Sequence, residues 1–277
     1  MKFMQKKFFK VLLLCTLVSG LAACGIPTDE ERSKELLGQA QAYFDKKEVN
    51  AAKLMIDSLH ATYPKIVNVR RQADTLSWQI EQFEIQRNLP YVDSMLVVRM
   101  NEFEEQKPAF RFEKNDKYQD VGNFFVKSLQ TENNIDRNYV RPYTDENGKF
   151  YVMSYFQGRK LRHNMLKASI GDLYAETGIV EVSDIHEYND GGVCRETVLF
   201  TDEKLGTFPQ FIAENASEKI KITLIGDREN SYFMALDDKE SFLKTFRLSS
   251  VLKELQELRF QQKKMLFRQE QLIKKLN

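Results

Sequence analysis

The side chains in mid-chain with most chemistry to offer are His186 and Cys194, which flank Asn189-Asp190-Gly191-Gly192. A histidine within reach of a thiol can take its proton and make a thiolate nucleophile. The turn between them decides whether they meet. A two-residue loop puts residues of equal parity on opposite faces of the hairpin, whereas a three-residue loop would place them on one face, two positions apart. In the first case Cys194 reads as a small apolar strand residue. There is no His-Glu-x-x-His, no Gly-x-Ser-x-Gly, no phosphate-binding Gly-rich loop and no Cys-x-x-Cys. Three Cys cannot build a disulfide framework or a four-thiolate zinc site, and three scattered His add little metal-binding capacity. The run Arg159-Lys160-Leu161-Arg162-His163 suits an acidic sugar or phosphate, or else a solvated strand edge. Trp78 and Tyr43 read as helix packing. These residues nominate no catalytic, cofactor-binding or metal-ligating set, and no cofactor.

Composition agrees with a folded, non-nucleic-acid-binding chain. In 277 residues, 41 Lys+Arg stand against 40 Asp+Glu, which removes the electrostatic case for a nucleic-acid partner. Twenty Phe and eleven Tyr argue against wholesale disorder, and 12 Gly with 6 Pro argue against a fibrous chain.

The N-terminus carries an address. Lys2, Lys6, Lys7 and Lys10 form a basic segment, followed by the apolar stretch Val11 to Ala23. A helix needs about 20 apolar residues to cross a bilayer, so this stretch is too short to span. It ends Leu21-Ala22-Ala23-Cys24-Gly25, which resembles the lipobox of bacterial lipoproteins. The resemblance implies a signal peptide at 1–23, cleavage before Cys24, and a diacylglycerol on the Cys24 sulfur with an acyl chain on the new amino terminus. Three chains make a stable anchor, since two already suffice. Cleavage removes four Lys and no acid, leaving 37 basic and 40 acidic residues, a formal −3. Cys194 is then the one free thiol. In such lipoproteins Asp after the Cys commonly retains the protein at the inner membrane, so Gly25 implies the outer membrane more than the inner. Asp29-Glu30-Glu31 reads as part of a solvated tether, or as a surface-export address of the kind some Gram-negative lineages use.

Behind the 24–33 tether, Leu36, Ala40 and Tyr43, then Ala52, Ile56, Leu59 and Pro64, have helical spacing around Lys46-Lys47-Glu48-Val49-Asn50, with Asn50 a candidate cap. The pattern at about 34–64 resembles a single tetratricopeptide repeat, and equally a generic αα-hairpin. One such unit cannot bury its own face. Two heptad stretches follow at opposite ends. Val69, Ala73, Leu76, Ile80 and Phe83 lead to a new start at Asn88-Leu89-Pro90 and on to about Glu105. Leu248, Val251, Leu255, Leu258, Gln262, Met265, Gln269, Leu272 and Leu276 keep the same period without Gly or Pro, over about 57 Å from Lys239. The economical reading pairs the two antiparallel within one chain, the C-terminus beside residues 67–75. The competing reading is a parallel homodimer through 248–276. Between them, residues 107–236 change to strand period with turns at Asp145-Glu146-Asn147-Gly148 and Asn189-Asp190-Gly191-Gly192, giving eight to ten short strands.

The expected fold is therefore α+β: a helical hairpin and stalk helices over 34–106, an antiparallel β domain over 107–236, and a C-terminal coiled-coil helix over 237–277 forming an antiparallel stalk with the first. Asp57-Ser58-Leu59, Asp74-Thr75-Leu76 and Asp93-Ser94-Met95 also resemble the O-glycosylation triplet of one group of Gram-negative bacteria. The function expected is a lipid-anchored envelope scaffold or binding protein, held to the membrane by Cys24 and engaging a protein partner. The alternative is an envelope hydrolase or ligand-processing enzyme with its site in the β domain.

Overall fold

The computed structural model describes residues 27–181, 183 and 185–276. Cys24 and the signal segment lie outside the described residues. The chain mixes helix and sheet, with long helices toward both ends and antiparallel sheets between. It divides into two compact units, one running to Asn88 and including Phe267–Asn277, the other Leu89–Leu266.

The first unit is helical. Helix α1 (Asp29–Asp45) starts inside the segment read as a tether. The reason is local: Thr28 caps it, its hydroxyl accepting from the Glu31 N–H at 3.2 Å, while Glu31 Oε2 accepts from the Thr28 N–H at 2.7 Å. This reciprocal box and three acids in the first turn favour a helix at once. Helix α2 (Val49–Thr62) begins one residue before the expected cap Asn50, with Glu48 at the N-cap position and Lys47 turning the chain at φ 64°. Ala40, Ala52, Ile56 and Leu59 of the hairpin form one buried cluster with Val69, Ala73, Leu76 and Ile80 of α3 (Val67–Gln106). The hairpin's open face is thus covered by the next helix of the same chain. In the same unit, Leu272 of α6 (Leu236–Leu276) is fully buried, Arg268 makes a two-pronged ion pair with Glu81 at 2.6 and 2.7 Å, and Lys275 lies over the Trp78 ring. The end of α6 therefore lies beside Trp78.

Helix α3 runs through Pro90 without the new start expected at Asn88. Proline removes one backbone donor and crowds the preceding turn. Here the buried seam residues Ile85 and Val92 flank it, so packing on both sides carries the helix past the missing bond.

The second unit is built on two antiparallel sheets. The larger has the order β1 (Phe110–Glu113), β2 (Asn123–Val126), β3 (Tyr139–Asp145), β4 (Phe150–Gly158), β8 (Val193–Phe200), β7 (Ile185–Asp190). The smaller has the order β10 (Glu229–Phe233), β9 (Lys221–Ile225), β5 (Met165–Ile170), β6 (Leu173–Glu176). Both expected turns form: Asp145 Oδ1 accepts from the Asn147 and Lys149 N–H groups, and Asp190 pairs with Val193 across the two-residue Gly191-Gly192 turn. One core joins the inner faces, with Val140, Val152, Phe156, Val198 and Phe200 from the large sheet and Leu166, Ala168, Ile222 and Leu224 from the small one. The short helices α4 (Asp202–Leu205) and α5 (Phe208–Glu214) and Phe242 of α6 complete it. Leu248 and Leu252 of α6 cover Phe110, Phe124 and Val126. Within this unit Arg99 of α3 pairs with Glu254 at 2.5 Å, and Gln262 donates to Asp93 at 2.7 Å. Among the described residues no helix is long and apolar enough to cross a membrane.

Candidate functional site

The hairpin register separates His186 from Cys194. His186 sits opposite Thr197 and is exposed, while Cys194 sits opposite Asn189 with its side chain buried on the core side. The turn is the two-residue kind, so the pair does not meet. Burial, with the Glu196 and Glu187 carboxylates, pushes the Cys194 thiol up and away from thiolate.

The histidine that does enter a network is His163, from the basic run. Its Nδ1 lies 2.9 Å from Glu196 Oε2 and its Nε2 2.9 Å from Ser154 Oγ. A serine, an imidazole and a carboxylate in this order are the constellation of an acyl-transfer enzyme. Its surroundings give it another task. Ser154 and His163 have no exposed surface and Glu196 has 1%, so no substrate atom can reach the serine oxygen. Glu196 also accepts the backbone N–H groups of Leu161, Arg162 and His163 at 2.6, 2.7 and 3.2 Å. These belong to the crossover 159–164 that carries the chain from β4 in one sheet to β5 in the other. A crossover packed into a core leaves amide donors without ladder partners, and a buried carboxylate satisfies three at once. Burial alone would push Glu196 up, but the His163 hydrogen bond and the three amides outweigh it and hold the group at about 2.

The carboxylates of Glu187 and Glu196 and the Cys194 sulfur lie within 4.8 Å of one another. That grouping does not fit a metal. Glu196 is committed to four hydrogen bonds, Glu187 binds the Lys160 ammonium at 2.5 Å, and the thiol is held protonated. Much of the basic run is engaged: Lys160 is paired with Glu187, Arg162 with Asp227 at 3.7 Å, and His163 is buried, while Arg159 is exposed.

The signal that could have found the network is an interruption of parity. On β4 the inward positions read Phe150, Val152, Ser154, Phe156, and on β8 they read Cys194, Glu196, Val198, Phe200. A hydroxyl and a carboxylate in otherwise apolar rows announce a buried partner.

The opposite face of the large sheet is polar and aromatic. Tyr143 stacks between Phe125 and Tyr151 at centroid separations of 4.8 Å, and Tyr139 stacks on Tyr155 at 4.7 Å. Arg141 lies over Phe125, and Arg137 over Tyr139. Stacking occupies ring faces, and Tyr139 and Tyr143 are themselves buried. Burial pushes the Tyr139 and Tyr151 phenols up to about 12, so both stay protonated donors. At the β7 end is a cleft enclosing about 70 Å³, with Arg137, Tyr139, Tyr155, Gln157, Tyr188 and Arg195 on its walls. One wall is anchored by Arg137, whose guanidinium binds the fully buried Asp238 of α6 at 2.5 and 2.6 Å. Arg195 Nη1 donates to the Ile135 carbonyl at 2.7 Å. The arrangement can hydrogen-bond a ligand and pack a ring against it. The chain matches no protein-family model, no curated protein and no solved structure.

Proposed function

We propose that this is a lipid-anchored protein of the bacterial cell envelope that works by binding rather than by catalysis. The observation that carries the anchor is the run of basic, then apolar, then Leu21-Ala22-Ala23-Cys24 residues. What supports binding over catalysis is that the Ser154–His163–Glu196 network is buried, while a cleft lined mainly by tyrosines and guanidinium groups, with Glu196 also among its lining residues, lies at the β7 end of the same sheet. The Cys24 lipid holds the chain to the membrane, the outer membrane in preference to the inner. A protein partner in the envelope completes the scaffold reading.

The test is labelled palmitate in cells expressing the protein and its Cys24→Ser variant. Incorporation in the parent and none in the variant is expected; incorporation in both would overturn the anchor. A pull-down from envelope solubilised with the lipid intact then asks for a stoichiometric protein partner. The enzyme alternative rests on the same triad. A fluorophosphonate probe that labels Ser154 in the native protein would establish it, and no labelling is expected.

The terminal helices are proposed to pair antiparallel along their seams. Supporting this, Glu81, Asp93 and Arg99 of α3 meet Arg268, Gln262 and Glu254 of α6, so that one series rises as the other falls. A short bismaleimide should link Asp93→Cys to Gln262→Cys within one chain in a Cys194→Ala background. Links only between chains would favour the homodimer through 248–276.

A further inference from the structure

The cleft at the β7 end of the large sheet has a composition that narrows its ligand. Register fixes two adjacent rows on the outer face. In one, Tyr188 of β7, Arg195 of β8 and Gln157 of β4 stand side by side; in the next, His186, Thr197, Tyr155 and Tyr139 do so. These side chains offer planar donors and acceptors, fixed in place by the strands that carry them. Tyr155 and Tyr139 are stacked on each other, so neither offers both ring faces. Tyr188 is 56% exposed, which leaves ring surface open at the rim of the cleft. The enclosed space of about 70 Å³ holds a few waters or one small substituent rather than a whole ligand. The ligand therefore lies along the sheet and sends one group inward. Charge decides its class. Arg137 is matched by Asp238 in a two-pronged pair, and in the nearby basic run Lys160 is paired with Glu187 and Arg162 with Asp227. Burial holds the Tyr139 phenol neutral. A strongly anionic ligand finds no spare cation cluster, and an apolar one would strand the donors around it.

We propose that this cleft binds a neutral saccharide, with a sugar ring packed on Tyr188 and one hydroxyl-bearing substituent inserted between Tyr155 and Gln157. The inference rests on the binding-protein reading and gives it a ligand class. A sugar has an apolar C–H face for an aromatic ring and paired hydroxyls for a planar amide, and Tyr188 and Gln157 supply both.

The experiment is calorimetric titration of the full chain in detergent with malto-, cello-, xylo- and mannohexaose, and with an oligogalacturonate as the charged comparison. At least one neutral hexasaccharide is expected to bind, and Tyr188→Ala should weaken it about tenfold, the scale of one aromatic contact. Gln157→Ala should weaken it as well, while Tyr118→Ala, at an exposed ring outside the cleft, should leave it unchanged. No neutral binding, binding of the charged oligomer alone, or neutral binding indifferent to Tyr188→Ala would each overturn the proposal. The two readings fail separately. A stoichiometric protein partner with no saccharide binding removes the saccharide and leaves the binding protein. A hexasaccharide that binds at Tyr188 and is cleaved, seen as shorter products by chromatography, keeps the site and removes the non-catalytic function.

Discussion

At the scale of single residues, the fate of a side chain is set by what surrounds it more than by its chemical type. Glu196 shows this most clearly. It is a carboxylate with a histidine and a serine in line, yet it serves the backbone of the 159–164 crossover. Its folded value of about 2 lies below the ordinary 4.5. A depressed carboxylate contributes stability above its unfolded value and loses it as pH falls toward the folded one. Stability should thus decline between about pH 4.5 and 2, and Glu196→Gln should remove that part of the decline. The same change should cost about 3 kcal/mol at neutral pH, as removal of one partner from a buried charged network does. Urea denaturation across pH reads both effects. Equal acid sensitivity in the variant would mean that other carboxylates carry it.

At the scale of elements, two positions mark where local and tertiary demands meet. Gly148 turns the β3–β4 hairpin at φ 80°, and a Cβ there would lie 2.5 Å from the Lys253 nitrogen and 2.6 Å from the Ser249 carbonyl oxygen. Ser249 Oγ also donates to the Gly148 carbonyl at 2.6 Å. The turn is thus pressed against the α6 backbone, and Gly148→Ala must strain φ and displace the helix together. We expect a loss of more than about 2 kcal/mol, measured by chemical denaturation. Pro90 is the opposite case: exposed, inside a continuous helix, and lacking the donor its position calls for. Pro90→Ala should restore the bond and raise stability by about 2 kcal/mol, after allowance for the stiffer unfolded chain that proline provides. An unchanged midpoint would show that the helix has already adapted its geometry around the proline.

At the scale of the whole molecule, the chain returns at its end to the unit in which its described residues begin. Phe267–Asn277 belongs with the N-terminal helices, where Leu272 is fully buried and Arg268 grips Glu81. Trp78, the chain's single tryptophan, lies under Lys275 in that unit, while the stacked tyrosines lie in the other. Two probes therefore report two units. Deleting residues 267–277 should lower the denaturation midpoint followed by tryptophan fluorescence and leave the midpoint followed by tyrosine near-UV dichroism nearly in place. Equal shifts in both would mean that the units unfold as one cooperative body.

Much of the architecture was legible in the amino-acid order, because helices and hairpins are written in local periods. The 3,4 spacing of Leu248 to Leu276, the small residues Ala40 and Ala52, and the Gly-bearing turns at 148 and 191–192 needed nothing distant to be read. The lipobox resemblance ending at Cys24 is likewise a linear pattern, and it lies outside the described residues. Local reading failed where packing overrode a local rule, as at Pro90, and where a short capping box was taken for a tether, as at Thr28. The tertiary structure alone decided the sites. Ser154, His163 and Glu196 come from β4, a crossover and β8, and Tyr139, Gln157 and Tyr188 come from β3, β4 and β7. Their meeting depends on which strands pair and in what register, and a slip of one residue would exchange the two faces, placing the serine in solvent and the tyrosines in the core.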